Sequence, residues 1–425
     1  MIKLKHILIF ISVAILLFVL SVYISVASTQ KQFDTCNLIG NKEIDTVNFR
    51  DFKKVTVQAS ELYKSNPLKT ILQGENYRKA WSTPVQVPIL FLDTLKGGVK
   101  IVKEGGGKQT QSLRLQAADG TLYSLRSINK NPKKLIPEFA KNLGLENIII
   151  DGISSQHPYA APVVARMADH LNIFHTHPKI VYVPKQESLL SYNITYGNRL
   201  YMLEYETEGP VNYTSAPHVI EISDTERLQK LKNKFGQSLT IDKGALIKAR
   251  LFDMIIGDWD RHSKQWGWVV QKKDSSYIAT PLPGDRDNAF FVVDGIIPSL
   301  ISNKYAIKEV RPFDKEIDFM EGLVYDFDVY FLQNTDKELF LEQAHYIQEN
   351  LSNKKIKRAL RLWNKELYEL YGDDIYEKIR ARRDNLLDIA KRYKNVIDKR
   401  PLLSDPLKGT DDFLPSNLIK CFDCD

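Results

Sequence analysis

Cysteine is almost absent: three residues in 425, at Cys36, Cys421 and Cys424, with none between. That excludes a disulfide framework for the body of the chain and a multi-cysteine zinc site within it. The Cys421-Phe-Asp-Cys424 pair has no second pair and no nearby histidine, so it reads as an exposed tail pair rather than a redox or zinc centre. There is no run of lysine and arginine interleaved with aromatics, which excludes the usual footprint of a nucleic-acid binder. No Gly-Lys-Ser/Thr opens a helix, so there is no Walker-type phosphate loop. Internal repeats are also missing.

The composition that remains is globular: 43% hydrophobic and 26% charged, enough for a large core and for more than one minimal domain. The net charge of +7 falls to about +5 once Lys3 and Lys5 are set aside. Such a mildly basic surface suits a soluble domain or a cleft for phosphates. Lys3 and Lys5 precede an uncharged apolar run from Ile7 to Ala27 that ends in Ser25-Val26-Ala27, a small-x-small cleavage pattern. The run is long enough to span a bilayer, so residues 1–27 read either as a signal peptide or as a retained inner-membrane anchor. Both place the rest of the chain outside the cytoplasm, in the periplasm or cell envelope.

Residues 28–85 read as a polar lead-in or linker, with helical text near Asp51–Tyr63. From Val87 the pattern alternates with period two, through Pro88–Leu92, Gly98–Val102, Ser112–Leu115 and Thr121–Arg126. Gly105-Gly106-Gly107 and Asp119-Gly120 separate these runs, so residues 86–130 predict an antiparallel meander. Helical text follows, with Pro137 in one first turn and Pro158–Pro162 opening a helix to His170. A strand pair at Lys179–Val183 and Arg199–Glu204 comes next. Beyond residue 224 the text is mainly helical. Ile247, Leu251 and Ile255 make a stripe leading into Asp258-Trp-Asp260, Trp266–Gln271 and Tyr277–Thr280 make a hairpin, and three apolar stripes fill residues 340–397. The predicted fold is α+β: a strand-rich N-lobe at 86–215, a helical C-lobe at 216–400, a loose tail at 401–425, and one apolar helix ahead of them. A β lobe on an α lobe with the site at the joint is a kinase-like, two-lobed architecture.

The chemistry gathers at that joint. Gly257-Asp-Trp-Asp-Arg-His262 is followed by Pro283-Gly-Asp-Arg-Asp-Asn-Ala-Phe-Phe291. Two carboxylates at the ends of a hairpin suit phosphoryl transfer: one takes the proton of the attacking hydroxyl and the other holds the metal on the phosphates. The first is Asp260, with Arg261 and His262 beside it, and Gln265 lies five residues on, where a second metal contact belongs. The second is Asp285 or Asp287, since magnesium takes carboxylate oxygen, phosphate and water. An Asp C-cap and an acidic turn would also account for these residues singly. Gly105, Gly106 and Gly107 offer backbone N–H groups to phosphates. Arg126 and Lys130 are the candidate strand cations, and Glu138, Glu146 or Asp151 the helix acid that would orient them. Glu204-Tyr-Glu206 falls where a hinge would meet adenine. His157, His170, His175 and His177 lack metal-ligand spacing and read as structural.

Ile256-Gly-Asp-Trp-Asp-Arg-His262 together with Asp287-Asn-Ala-Phe290 resembles the atypical kinases of the HipA, secretory-pathway casein-kinase and phosphatidylinositol 4-kinase groups. Those carry an Asp-Arg-His or Asp-x-His catalytic loop and an Asp-Asn metal motif. The resemblance implies Asp260 as catalytic acid/base, Gln265 near a second metal and Asp287 as metal ligand, with Mg2+ and ATP as cofactor and donor. A longer resemblance runs through Gly105–Leu115, Leu125–Pro132, Ser154–Ala160, Ala249–His262 and Ala381–Leu386. It is to an exported bacterial envelope family whose module is often joined to a metallophosphoesterase or an outer-membrane barrel domain. It covers roughly residues 95–395. Arg126 stands where such kinases carry lysine, and Gln265 where they carry asparagine or an acid. A nucleotide or other phosphate-bearing ligand is the implied partner, with a catalytically inactive pseudokinase-like scaffold as the alternative to an active phosphotransferase.

Overall fold

The computed structural model of the chain describes residues 2–27, 29, 36–40, 44–105, 109–132, 136–403, 405–409 and 422. It is an α+β structure with one long apolar helix ahead of the folded body. That helix, α1 (Ile2–Val26), has a mean hydropathy of 3.0 over its most apolar 18 residues, and its Leu4–Val26 stretch is long and apolar enough to cross a membrane. At 1.5 Å per residue its 25 residues reach about 37 Å, against a hydrocarbon core of about 30 Å.

The expected linker is in fact packed structure. Strands β1 (Asn37–Leu38), β2 (Lys54–Gln58) and β3 (Val85–Pro88) form a small antiparallel sheet. The helical text at Asp51–Tyr63 is overridden because Val55 and Val57 alternate toward the interior. Helices α2 (Pro67–Gln73) and α3 (Arg78–Ser82) follow β2. Phe49, Val57, Tyr63, Tyr77 and Trp81 all enter the main core. The segment was legible only as polar because its apolar residues are spaced singly.

Five antiparallel strands then form the principal sheet: β4 (Val99–Gly105), β5 (Ser112–Ala117), β6 (Leu122–Ser127), β7 (Lys179–Val183) and β8 (Arg199–Tyr205), in spatial order β4-β5-β6-β8-β7. The meander follows the expected alternation, with Asp119-Gly120 closing β5 onto β6 and Gly120 at φ +88°. Helix α4 (Glu146–Asp151) and helix α5 (Ala160–Asp169) lie in the crossover between β6 and β7; α5 buries Val163, Val164, Met167 and Ala168. Expected as a lone hairpin, the strand pair after residue 224 belongs to a four-stranded sheet. Strands β9 (Val219–Asp224), β10 (Leu239–Ile241), β11 (Trp266–Lys273) and β12 (Ser276–Pro283) run in the order β10-β12-β11-β9, with β10 parallel to β12.

Helix α6 (Thr225–Phe235) and helix α7 (Lys243–Ile256) precede the acid-bearing loop. Asp242 caps α7 by accepting from the Ala245 N–H at 2.8 Å, and nearly every side chain from Leu246 to Ile256 is buried, which marks a central helix rather than a surface one. Helix α8 (Ile296–Ile301) leaves the second acid segment. Helices α9 (Lys337–Asn350), α10 (Asn353–Leu360), α11 (Asp373–Asp384) and α12 (Leu386–Lys399) follow the predicted stripes and pack α9 against both α7 and α12. The tail is not wholly loose: Leu407 is buried, and Gln229 donates to its carbonyl at 2.7 Å. The paired tail cysteines, Cys421 and Cys424, lie outside the described residues.

α7 stops because Gly257 takes the left-handed conformation, φ +68°, and its backbone lies against Phe313: a Cβ there would meet the Phe313 ring at 2.5 Å. Gly257→Ala therefore combines backbone strain with overpacking. It is expected to lower unfolding free energy by about 2–4 kcal/mol, measured by urea denaturation.

Candidate functional site

The site is built across the edge where the five-stranded sheet meets the acid loops. Register places its first parts. Gly105 pairs with Ser112, Ser112 with Arg126, and Arg126 with Met202, so these four residues form one row across β4, β5, β6 and β8. At about 4.8 Å per strand the Gly105 end of the hairpin lies roughly 10 Å from the Arg126 backbone. Gly106 and Gly107 lie outside the described residues.

Within β6, Leu125 is buried in the core of the sheet while Arg126 points the opposite way, as the alternation predicts. The Arg126 guanidinium reaches Asp285 at 2.5 Å and Glu204 at 3.3 Å. Three residues past the strand, Lys130 reaches Asp287 at 2.7 Å. Each of the two acids after β12 is thus met by one cation from the end of β6.

Glu204 takes on a task beyond the one expected of it, although it also lines the pocket beside Arg126. It is buried, it accepts from the Thr176 hydroxyl at 2.5 Å, and it is the acid that orients Arg126. The three helix acids proposed for that role lie elsewhere. Asp151 is enclosed with Lys69 and Arg78, Glu138 pairs with Lys141, and Glu146 opens helix α4. Burial pushes the Glu204 carboxyl up to about 7, with Arg126 opposing. Burial also pushes Asp285 upward, but Arg126 and Lys130 more than offset it and hold that carboxyl below the usual range. Asp287 is raised, by burial first, against the pull of Lys130, and by the neighbouring charge of Asp285.

Arg261 also departs from the expected catalytic placement. It is wholly enclosed, donates to the Gly284 carbonyl at 2.8 Å, lies 3.2 Å from Asp253 and stacks over Trp266. It cannot meet a substrate where it lies; it ties the loop after α7 to the turn that carries Asp285. The hub of this tie is Asp253, on the last turn of α7. Its carboxylate meets Arg261, Arg286 at 2.8 Å and Arg250 at 3.2 Å, and Arg250 also holds Asp328 at 2.7 Å. Sequence reasoning missed Asp253; the available signal was an acid on a largely apolar helix, with Arg250 one turn before it and Arg261 and Arg286 after it.

Asp260 and His262 remain partly exposed on the loop after α7, with the imidazole Nε2 3.6 Å from the Asp260 carboxylate. Burial, opposed by Asp260, holds the imidazole below its ordinary pKa. Gln265 closes a short turn. Its carbonyl accepts from the Gly284 N–H at 3.0 Å, and its side chain lines a polar pocket with Arg126, Glu204, Thr207 and Asp285. A second pocket on the other side of Arg126 is lined by Trp81, Lys130, Gln156, His157, Met202 and Asp287. Asn288 accepts from Gln156 at 2.7 Å. His157 is enclosed and stacked on Trp363 at 4.2 Å, and burial drives its pKa down to about 3, so it is a neutral core residue. His175 pairs with Asp169.

Among the described residues no group of three or more His, Cys, Asp or Glu converges as a ready-made metal site. A hard cation here would rest on the Asp285 and Asp287 carboxylates and on oxygens brought by a ligand, which is how magnesium is commonly held. The Asp285 Oδ1 atom is buried and has no hydrogen-bond partner among the described residues, an acceptor open to such an ion.

These features define a cleft between two cations, one on β6 and one just beyond it, and a loop-borne pair of acids. No family model matches the chain, and no curated protein matches it. Among solved structures, the Helicobacter pylori proinflammatory kinase CtkA is similar over 68% of this chain and 94% of that one, at 15% identity and a TM-score of 0.35. A likeness of that size leaves the case to the geometry of the chain itself.

Two outcomes follow. Asp253→Ala would leave three buried arginines short of their shared carboxylate and should cost about 3–5 kcal/mol in chemical denaturation. Glu204, whose folded carboxyl lies near 7 against an ordinary 4.5, adds stability that is complete below about pH 4.5 and lost as pH rises through 7. Relative to Glu204→Gln, the parent chain should therefore lose up to roughly 3 kcal/mol between pH 4.5 and 7.5; parallel curves would remove Glu204 as the titrating group.

Proposed function

We propose that the chain is an atypical-kinase-like phosphotransferase domain of the cell envelope, acting on a hydroxyl acceptor with a magnesium-bound nucleotide or other phosphate donor. The observation that carries this reading is the pair of acid–cation contacts, Arg126–Asp285 and Lys130–Asp287, beside the Gly105 end of the β4–β5 hairpin. When a phosphate ligand enters, the two cations have phosphate oxygens to hold, and the two carboxylates are released to a metal. Magnesium held by Asp285 and Asp287 supplies charge neutralisation on the phosphates.

The remaining steps belong to the chain's own residues. Arg126 and Lys130 fix the phosphates, and Glu204 keeps Arg126 aimed at them. Asp260 takes the proton of the acceptor hydroxyl as its oxygen bonds to phosphorus and the bond to the donor's bridging oxygen breaks. His262, beside Asp260, steadies that carboxylate. Arg261, through Gly284, keeps Asp260 and Asp285 in fixed relation. Gln265 lines the ligand pocket in the position of a second metal contact.

A second reading has its own support. Arg126 replaces the usual lysine and each acid already has a cation, so the cleft could hold a phosphate ligand without transferring it, as a pseudokinase-like scaffold does. Titration calorimetry with Mg-ATP separates the two. Asp287→Ala should abolish magnesium-dependent binding, and unchanged binding would remove its metal role. Asp260→Ala should leave binding intact and lower phosphoryl transfer by about 100-fold or more. Binding with no turnover by the parent chain would leave the scaffold reading standing.

A further inference from the structure

Helix α1 does not end free. Most of it is exposed, but Val22, Ser25 and Val26 in its last turn are buried, as is Thr29 just beyond it. The Ser25 hydroxyl accepts from the Gln73 amide at 3.2 Å. The Thr29 hydroxyl accepts from Lys69 at 2.8 Å and donates to Asp151 at 3.2 Å. Asp151 in turn holds Lys69 at 2.8 Å and Arg78 at 2.5 Å, all three side chains wholly enclosed. Asn147 donates to the Val26 carbonyl at 3.2 Å, and the Tyr23 hydroxyl donates to the Leu143 carbonyl at 2.5 Å. The cleavage-like Ser25-Val26-Ala27 stretch is therefore the keyed end of a helix, not an open segment that a peptidase can grip without local unfolding. Removing residues 1–27 would take these partners from the side-chain amides of Gln73 and Asn147 and remove the buried Val22 and Val26 side chains.

Around this exit lies an exposed apolar collar. Leu143, which receives the Tyr23 hydroxyl, is 55% exposed, and Ile71, on α2, is 61% exposed. α2 packs against α1 on one side and against α8 on another, where the Gly295 backbone stands directly on Gly74. α8 itself exposes Ile296, Leu300 at 62%, and Ile301. Tyr305 follows at 89% exposed, with the Lys304 ammonium 5.2 Å over its ring. Soluble surfaces rarely gather so many large apolar groups in one neighbourhood. An aromatic and a lysine beside aliphatic side chains suit the lipid headgroup boundary. Through α2, which packs on both α1 and α8, these residues are joined to a helix of membrane-spanning length, and that decides their occupant.

We propose that residues 2–26 stay in the folded protein as a keyed anchor, and that the collar of Ile71, Leu143, Ile296, Leu300 and Ile301 rests in the interfacial layer of a lipid bilayer. This goes beyond the phosphotransferase reading and stands without it. The helix would hold the domain at a fixed orientation on the membrane rather than on a tether.

The test uses the full chain, extracted and reconstituted in phosphatidylethanolamine–phosphatidylglycerol vesicles. Its intact mass should retain residues 2–27; a product beginning at residue 28 would overturn the anchor. For the collar, Leu300→Cys and Ile71→Cys are made in a background with Cys36, Cys421 and Cys424 replaced, and each is labelled with an environment-sensitive fluorophore. Headgroup-proximal spin-labelled lipid should quench both at least threefold more than Leu362→Cys, a comparably exposed position in the turn after α10. Quenching no greater than at Leu362→Cys would overturn the lipid seat. So would protection of the collar labels by a second copy of the chain in detergent. Neither result depends on nucleotide binding, so failure here is separable from failure of the catalytic reading.

Discussion

The cleft depends on one buried carboxylate. Asp253 lies at the end of the central helix α7 and gathers Arg250, Arg261 and Arg286, which belong respectively to that helix, to the Asp260 loop and to the segment between Asp285 and Asp287. Burying so many charges costs desolvation, and the cost is offset only because the geometry gives each arginine a carboxylate or carbonyl partner. The consequence is positional. Two loops are fastened to one carboxylate on the buried central helix of the fold. Tyr325, donating to the Trp259 carbonyl at 2.6 Å, adds a further clamp on the first of them.

On that frame the electrostatics of the cleft divide cleanly. Asp285, flanked by Arg126 and Lys130, is held ionised, whereas Asp287 is lifted by burial and by its neighbour's charge. Two adjacent carboxylates driven in opposite directions are a common sign of a site that exchanges charge with a ligand. Glu204 completes the set from the sheet side. Its own raised carboxyl reflects a group kept dry so that it can aim a guanidinium rather than face solvent. Positioning is therefore distributed over the sheet, the central helix and the loops, and no single element carries it.

Much of this was legible in the chain itself. The period-two text and the Asp119-Gly120 turn gave the meander, and the opposed facing of Leu125 and Arg126 followed from strand alternation alone. The Asp260 loop, the hairpin and Asp285-Arg-Asp287 were visible as motifs, and the structure brings Arg126, Lys130, Asp285 and Asp287 into direct contact. What escaped depends on long-range pairing. Glu204 was placed beside the site but its pairing with Arg126 was not foreseen, because only the β6–β8 register reveals that it lies diagonal to Arg126. Arg261 looked catalytic because adjacency to Asp260 says nothing about burial. The lead-in looked like a linker because isolated aromatics such as Tyr63, Tyr77 and Trp81 show no period, although they fill the core.

The row Gly105–Ser112–Arg126–Met202 has a consequence for how such a chain can vary. Side chains on neighbouring positions of a strand face opposite sides, so which side Arg126 takes is decided by counting residues from the turn that pairs β5 with β6. That turn, Asp119-Gly120, sits at the far end of the sheet from the acids. One residue added within β6 would keep a strand but present Leu125 to the cleft and bury a guanidinium in the apolar layer now formed by Leu113, Leu125 and Leu203. The spacing between a distant turn and a single arginine is thus as much a part of the site as its charges, and length variation is tolerable in the loops that flank this ladder but not inside it.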